Sequence, residues 1–362
     1  MSYPPISETA LNTIIKANAY EPYYSFKSSL DLYDIHQFTN GHPFSTYDEL
    51  RENSPIYFQN PPEWDVEPGA WMLTSYKDIM EVSSNPTIFS SQAATGNLIT
   101  LGDPETRHPK LWQTSIDHML NLDGSFHLDL RREHMPFFKP GYVDDLHKKV
   151  EIKVETLLDA IAKVGKSNLV KDISQQIPIF TLSEVLGIPE EDRHKLATWM
   201  EFLELAQYFA AENMKQTQGK AEEMEVDTSM IELFENMIGE MFEYGKHILQ
   251  EKRKNPENDL LSAIANAELD GAKLSQEYLD GSWLLIIFAG NDTTRNSISG
   301  AIKLLTEFPE QKKKLLNNFD LLPNFAQETI RMISPVIHMR RTTTCETTLG
   351  NQKLGKGEKV IM

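Results

Sequence analysis

The stretch Phe288-Ala289-Gly290-Asn291-Asp292-Thr293-Thr294-Arg295-Asn296 sets an acid and two hydroxyls close behind a glycine, in a segment that is otherwise apolar and helical in period. Leu285, Ala289, Thr293 and Asn296 recur every three or four residues, so they share one face of the helix predicted over residues 275–308. Gly290, Thr293 and Thr294 are poor helix formers, and the hydroxyls compete for backbone groups, which frees carbonyls there to bind something other than the next turn. The pattern predicts a groove in a buried helix, where a ligand such as dioxygen meets a proton-delivering Asp292 and Thr293. A core helix kinked by its Ser/Thr residues satisfies the same spacing.

Two further segments carry charged residues at helical spacing. Asp123-Gly124-Ser125-Phe126-His127-Leu128-Asp129-Leu130-Arg131 places His127 and Arg131 one turn apart on one face, although a surface or internally satisfied histidine also fits His127. Glu328-Thr329-Ile330-Arg331 is an i,i+3 acid and base, which alone describes a surface salt bridge. It precedes Ser334-Pro335-Val336-Ile337-His338-Met339-Arg340-Arg341-Thr342. The ten histidines show no zinc spacing, and no Gly-x-Gly-x-x-Gly or Gly-Lys-Ser/Thr loop offers a nucleotide site.

Taken together and in this order, the segments resemble the cytochrome P-450 family, whose long central helix carries Ala-Gly-x-Asp/Glu-Thr-Thr, here Ala289 to Thr294, followed by Glu-x-x-Arg, here Glu328 and Arg331. The stretch from Asp123 to Arg131 is similar to the family's Asp-Pro-Pro-x-His-x-x-x-Arg, with both prolines replaced, and residues 185–193 resemble its helix-ending turn. The resemblance implies a mainly α fold with a small β region, binding heme b and using dioxygen to hydroxylate an apolar small molecule. Asp292 and Thr293 would relay protons, and Ala289 and Gly290 would lie beside the heme. His127, Arg131 and Arg341 would hold its two propionates through charge-assisted bonds. Glu328 and Arg331 would be a buried structural pair, since losing one partner strands a charge. Phe288, Val336, Ile337 and Met339 would line the substrate pocket, with Gly96, Leu98, Ile99 and Leu101 from a loop over residues 92–111. Arg295-Asn296 and Ser334-Pro335-Val336 look most like the soluble bacterial members that hydroxylate steroids or methyl-branched lipids. Electrons would come from NAD(P)H through a separate ferredoxin and ferredoxin reductase.

One departure bears on the iron. The family's heme ligand is a cysteine thiolate in a Phe-x-x-Gly-x-x-x-Cys-x-Gly loop, and the chain stops at Met362 before such a loop, so the expectation is a fold incomplete at its C-terminus with no metal ligand. Cys345, the single cysteine, stands in the β-branched run Arg341-Thr342-Thr343-Thr344-Cys345 and reads as a strand residue. The rival expectation is a non-enzymatic helical remnant, or a ligand-binding protein without heme.

These residues need a scaffold, and 362 residues with 40% apolar content suffice for one large domain or two ordinary ones. The pattern divides into an N-terminal arm over residues 1–43 and a domain over 44–362. Thr46 with Glu49 predicts a capping box opening a short helix that stops before Ser54-Pro55, and Ile56-Tyr57-Phe58 and Ala70-Trp71-Met72-Leu73-Thr74 predict two antiparallel strands. Residues 150–314 are mostly helical, with breakers at Gly165, Gly187-Ile188-Pro189, Asn255-Pro256 and Phe308-Pro309. Residues 216–228 read as a connection or lid between two helices. Thirty-five Lys+Arg against 53 Asp+Glu give a net charge of −18, the wrong sign for tracking nucleic-acid phosphates. One cysteine, no apolar run of membrane-spanning length and no leader-like N-terminus set the expectation of a cytoplasmic protein without a membrane span.

Overall fold

The structure, a computed structural model, describes residues 32, 35–38, 41–60, 69–92, 110, 114, 118–216, 228–269 and 271–362. Most of the predicted N-terminal arm, the pocket loop with Gly96, Leu98, Ile99 and Leu101, and residues 217–227 of the predicted lid lie outside the described residues.

Helices dominate. α1 (Phe44–Asn53) and α2 (Tyr76–Ser83) accompany the sheet, α3 (Gly124–His134) and α4 (Pro140–Val164) follow, and α5 (Gln176–Leu186) comes after a single π-turn at Val170–Ser174. α6 (Arg193–Gln216), α7 (Thr228–Lys254) and α8 (Leu260–Asn266) lead to α9 (Gln276–Ala289), α10 (Asp292–Glu307), α11 (Pro309–Asn317) and α12 (Leu322–Ile333). The predicted breakers act as their chemistry requires. Gly165 and Gly187 take left-handed conformations after α4 and α5, and Pro309 opens α11 at a position where its missing N–H costs nothing. At Gly187 a side chain is doubly excluded, because φ is +67° and a Cβ would stand 2.3 Å from Asp259 Oδ2. Asp259 caps α8 by accepting from Ser262 N at 2.7 Å and takes Lys252 Nζ at 2.5 Å, so one buried carboxylate joins α7 and α8 beneath the end of α5.

The main core lies among α5 to α9. Trp199, Tyr244 and Trp283 stack at 5.3 to 6.3 Å, and Trp283 Nε1 donates to Met241 O at 3.0 Å. Trp199, Trp283, Leu261 and Ile287 are at most 1% exposed, and each such side chain contributes roughly 1.5–3 kcal/mol. α9 is buried along most of its length, which fixes it as the floor on which the site is built.

Three expectations are corrected here. The helix predicted over residues 275–308 is two helices, interrupted at Gly290 and Asn291. Periodic apolar residues on both sides hide the break, which forms where glycine and hydroxyl side chains weaken the ladder. α1 starts at Phe44, so Thr46 is no cap; its hydroxyl donates to Gln37 Oε1 at 3.1 Å. The two antiparallel strands β1 (Ile56–Gln59) and β2 (Ala70–Leu73) do pair as expected, but they belong to a larger, mixed sheet.

That sheet adds β3 (Phe89–Ser90), while β4 (Glu268–Leu269) and β5 (Ala272–Lys273) form a separate hairpin. Downstream come β6 (Arg340–Thr343), the hairpin of β7 (Thr347–Leu349) and β8 (Gln352–Leu354), and β9 (Lys359–Ile361). The five-stranded order is β1-β2-β9-β6-β3, with β9 parallel to β2 and antiparallel to β6. Cys345 is not a strand residue. β6 ends at Thr343, whose hydroxyl donates to Gly355 O at 2.6 Å, and the chain bends there, leaving Cys345 exposed. Among the described residues no helix is long and apolar enough to cross a membrane.

Candidate active site

α3 brings the first cations in. Its leading turn differs in kind from a proline turn, because Gly124 has φ +66°, which proline, held near −65°, cannot adopt. Asp123 then faces the sheet instead of capping its own helix, accepting from Ser90 Oγ at 2.6 Å and from Ser91 N at 3.0 and 3.1 Å. β3 pairs with β6 through Ser90 and Thr342, so this anchor sets Arg341 beside α3. The consequence is a convergence of His127, Arg131 and Arg341 around Asp123. Burial, then the charge of Arg131 and, to a lesser extent, of Arg341 push the His127 imidazole below its usual range, with Asp123 opposing. Burial likewise lowers the half-buried Arg341 guanidinium, which donates to Arg340 O at 2.9 Å. None of the three cations is held in an ion pair among the described residues.

The second component is the interruption between α9 and α10; α9 itself is tied to α3 at its first turn by the edge-to-face contact of Phe126 and Tyr278 at 5.6 Å. Gly290 N still donates to Ile286 O at 3.1 Å, and Arg295 N donates to Asn291 O at 2.9 Å. Across the break, Thr293 Oγ donates to Ala289 O at 3.3 Å, joining two residues expected on one face. A Cβ on Gly290 would come within 2.9 Å of Leu182 Cδ1, so glycine is needed for α9 to approach α5. Asp292 is part-exposed and accepts from Arg295 Nη2 and from Asn296 Nδ2, the latter at 3.0 Å. Asn296 therefore serves the acid. Sequence reasoning missed the part of Arg295, although its i,i+3 spacing from Asp292 was visible. It also missed Asn291, which is 2% exposed with an Oδ1 that meets no donor.

Glu328 and Arg331 do pair, through bonds of 2.8 and 2.6 Å, but the expectation of burial is corrected: the side chains are 59% and 66% exposed. α12 turns Thr329 and Ile333 inward, the latter against Gly300 of α10, and its charged pair lies on the outward side. Phe288, Val336 and Ile337 are 44 to 52% exposed. Met339 is half-buried and exchanges backbone hydrogen bonds with Met362. Among the described residues no cluster of His, Cys, Asp and Glu could hold a metal ion.

The profile of the cytochrome P450 family matches residues 87–362. Linalool 8-monooxygenase of Pseudomonas putida is 29% identical over 333 residues, which cover 92% of this chain and 77% of that protein. Methyl-branched lipid omega-hydroxylase of Mycobacterium bovis is 28% identical, covering 92% of this chain and 73% of that protein. Among solved structures, a cytochrome P450 of Mycobacterium marinum in complex with pseudoionone superposes with a TM-score of 0.77 at 30% identity, over 95% of this chain and 79% of that one.

Proposed function

The chain belongs to the cytochrome P450 family, and on that premise we propose that it serves to hydroxylate a branched apolar molecule, such as a steroid side chain or a methyl-branched lipid, within a soluble electron-transfer system. Members of this family are monooxygenases that use heme, dioxygen and a redox partner on small molecules. The observation that carries the reading is the interrupted helix with Thr293 and Asp292 placed on it.

The heme fits one part of this chain and not another. Its two carboxylates suit Arg131, exposed, and Arg341, half-buried, with His127 beside them as a hydrogen-bond donor, none of them held in an ion pair among the described residues. Cys345, exposed on a bend beyond Thr343, does not fit the part of the thiolate that would hold the iron. When bound, heme supplies the activation of dioxygen and the insertion of one oxygen atom into a C–H bond.

The chain's own residues supply position and protons. Thr293 Oγ–H, spent on Ala289 O at 3.3 Å, is a long and easily exchanged bond, so the hydroxyl can turn its proton to an acceptor in the groove. Asp292, ion-paired with Arg295, can recharge Thr293 by accepting a proton and passing it on. The exposed faces of Phe288, Val336 and Ile337, with the half-buried Met339, offer an apolar wall for the substrate. The names of the similar proteins, a linalool and a methyl-branched lipid hydroxylase, support a branched apolar substrate. Electrons would come from NAD(P)H through a reductase and ferredoxin, a redox partner of the kind the family uses.

Hemin titration followed by its absorbance tests the cradle. Arg341→Ala is expected to weaken binding by about tenfold, the cost of one charge-assisted hydrogen bond. Equal affinity of parent and variant refutes the assignment, and no binding by either favours a heme-free ligand-binding protein. Turnover of a branched lipid with ferredoxin, its reductase and NADPH tests the reaction.

A further inference from the structure

In the turn between α12 and β6, Ser334 has φ +39°, and among the described residues it alone combines a side chain with a positive φ. A left-handed serine is strained, the more so before a proline, and it persists only where its surroundings hold it. Three hydrogen bonds do so here. Ser334 N donates to Ile330 O at 2.8 Å and its hydroxyl to Arg331 O at 2.9 Å, both within the last turn of α12. The third comes from the far end of the sequence, where His42 Nε2 donates to Ile333 O at 2.8 Å across 291 residues. In a continuing helix that carbonyl would take the N–H of Ile337; the turn at Ser334 and Pro335 ends the helix, and an imidazole N–H is a suitable replacement at a helix C-terminus. The half-buried His42 ring is itself seated against Phe44 and Tyr47 of the first turn of α1, with centroids 5.8 and 6.3 Å away. Ile333 is fixed on its other side too: a Cβ on Gly300 would stand 2.4 Å from its Cδ1, so its side chain lies pressed on α10. Downstream, Met339 N donates to Met362 O at 3.1 Å and Met362 N to Met339 O at 2.8 Å. Val336 and Ile337, 50% and 52% exposed, are thus carried on a short span between two held ends.

We propose that His42 is a positioning residue for the substrate: by holding Ile333 O it fixes the left-handed turn at Ser334 and, through that turn, the direction in which Val336 and Ile337 face. The proposal rests on the monooxygenase reading for what those two side chains meet, and deepens it by adding a residue from far outside the site. Without the bond, Ser334 relaxes toward negative φ, and the rotation swings the span that follows. Arg341 does not follow that motion, because Arg341 is opposite Val360 and Thr342 opposite Ser90 in the sheet. His42 therefore acts on the apolar wall and leaves the cations of the heme cradle in place.

His42→Phe and His42→Gln separate the hydrogen bond from packing: phenylalanine keeps a ring beside Phe44 and Tyr47 and loses the donor, whereas glutamine loses the ring and keeps a donor. The first readout needs no turnover. The Ser334 amide, bonded to Ile330 O, is expected to exchange its hydrogen several-fold faster in His42→Phe than in the parent chain and at the parent rate in His42→Gln. Equal exchange in all three overturns the proposal. In the enzyme supplied with its electron donors, with farnesol and phytanic acid as probes, His42→Phe is expected to raise KM several-fold and to spread hydroxylation over more carbons, with kcat and hemin affinity unchanged and His42→Gln like the parent. A fall in kcat with KM unchanged, or the same behaviour in both variants, overturns the positioning role. A parent enzyme that oxidises neither probe while the exchange contrast holds would sink the proposed function and leave His42 as the holder of the turn.

Discussion

Around His127, two arginines drawn from α3 and β6 stand together with no acid in an ion pair with them among the described residues, whereas on α12 Arg331 is gripped by Glu328 through two hydrogen bonds in open solvent. Both regions start from the same sequence signal, charged residues at helical spacing. They differ in what the tertiary structure does with the charges. In the first, Asp123 is committed to Ser90 and Ser91, and strand pairing delivers Arg341 into a place already holding two bases. Like charges gathered beside a half-buried imidazole and a half-buried guanidinium raise the energy of the folded chain until something anionic arrives. In the second, the charges satisfy each other and nothing is left over. A stored mismatch marks a binding site, and a satisfied pair at the surface is nearly inert.

The largest test of this contrast removes the mismatch. Arg131→Ala with Arg341→Ala should weaken hemin binding by about a hundredfold, two charge-assisted bonds at about 1.4 kcal/mol each, while the heme-free chain unfolds at the same or a higher temperature. A lower midpoint for the empty double variant would mean the cations stabilise the fold and would break the comparison. Next in size, Asp123→Ala should destabilise the chain by roughly 1–3 kcal/mol, because Ser90 and Ser91 lose their common acceptor in a part-buried place; urea unfolding measures it.

A smaller effect sharpens the contrast through pH. His127 is lowered in the folded chain, so below its ordinary value near 6.5 the unfolded chain binds more protons, and stability rises with pH through that window. The loss as pH falls through 6.5 should shrink in Arg131→Ala, and carboxylates bound at the cluster should reverse its sign. Unfolding midpoints from pH 5 to 8, with and without hemin, read this out. Smallest of all, Glu328→Gln should leave the unfolding midpoint where it is in high salt and move it little in low salt, as befits an exposed pair.

How far the sequence speaks follows from the range of the forces involved. The bonds of Thr293 to Ala289 and of Asn296 to Asp292 were legible because each joins residues four apart in the sequence. The ends of α4 and α5 were legible because Gly165 and Gly187 act on their own turns. The interruption at Gly290 and Asn291 was not, since an apolar period continues through it. Nor was the exposure of Glu328 and Arg331, because spacing fixes which side chains can pair, while burial depends on what covers them. Arg341 was named from its place in a motif, but its arrival beside His127 depends on a strand pairing between residues 90 and 342, which no local pattern encodes.

The position of β9 sets a clock. It is the middle strand of the five-stranded sheet, hydrogen-bonded to β2 on one side and β6 on the other, and its Val360 is completely buried against Trp71 and Leu73. Ala70 and its partner Lys359 are separated by about 290 residues, so at roughly 5–20 residues per second a ribosome needs about 15–60 s between the two. For that time the hairpin of β1 and β2 exists with one edge open and Trp71 uncovered, far longer than the microseconds in which a hairpin forms. An unpaired apolar edge is a template for foreign strands. The nascent chain is thus a client for whatever in the cell shields such edges, and slowing its synthesis lengthens its exposure to misassembly.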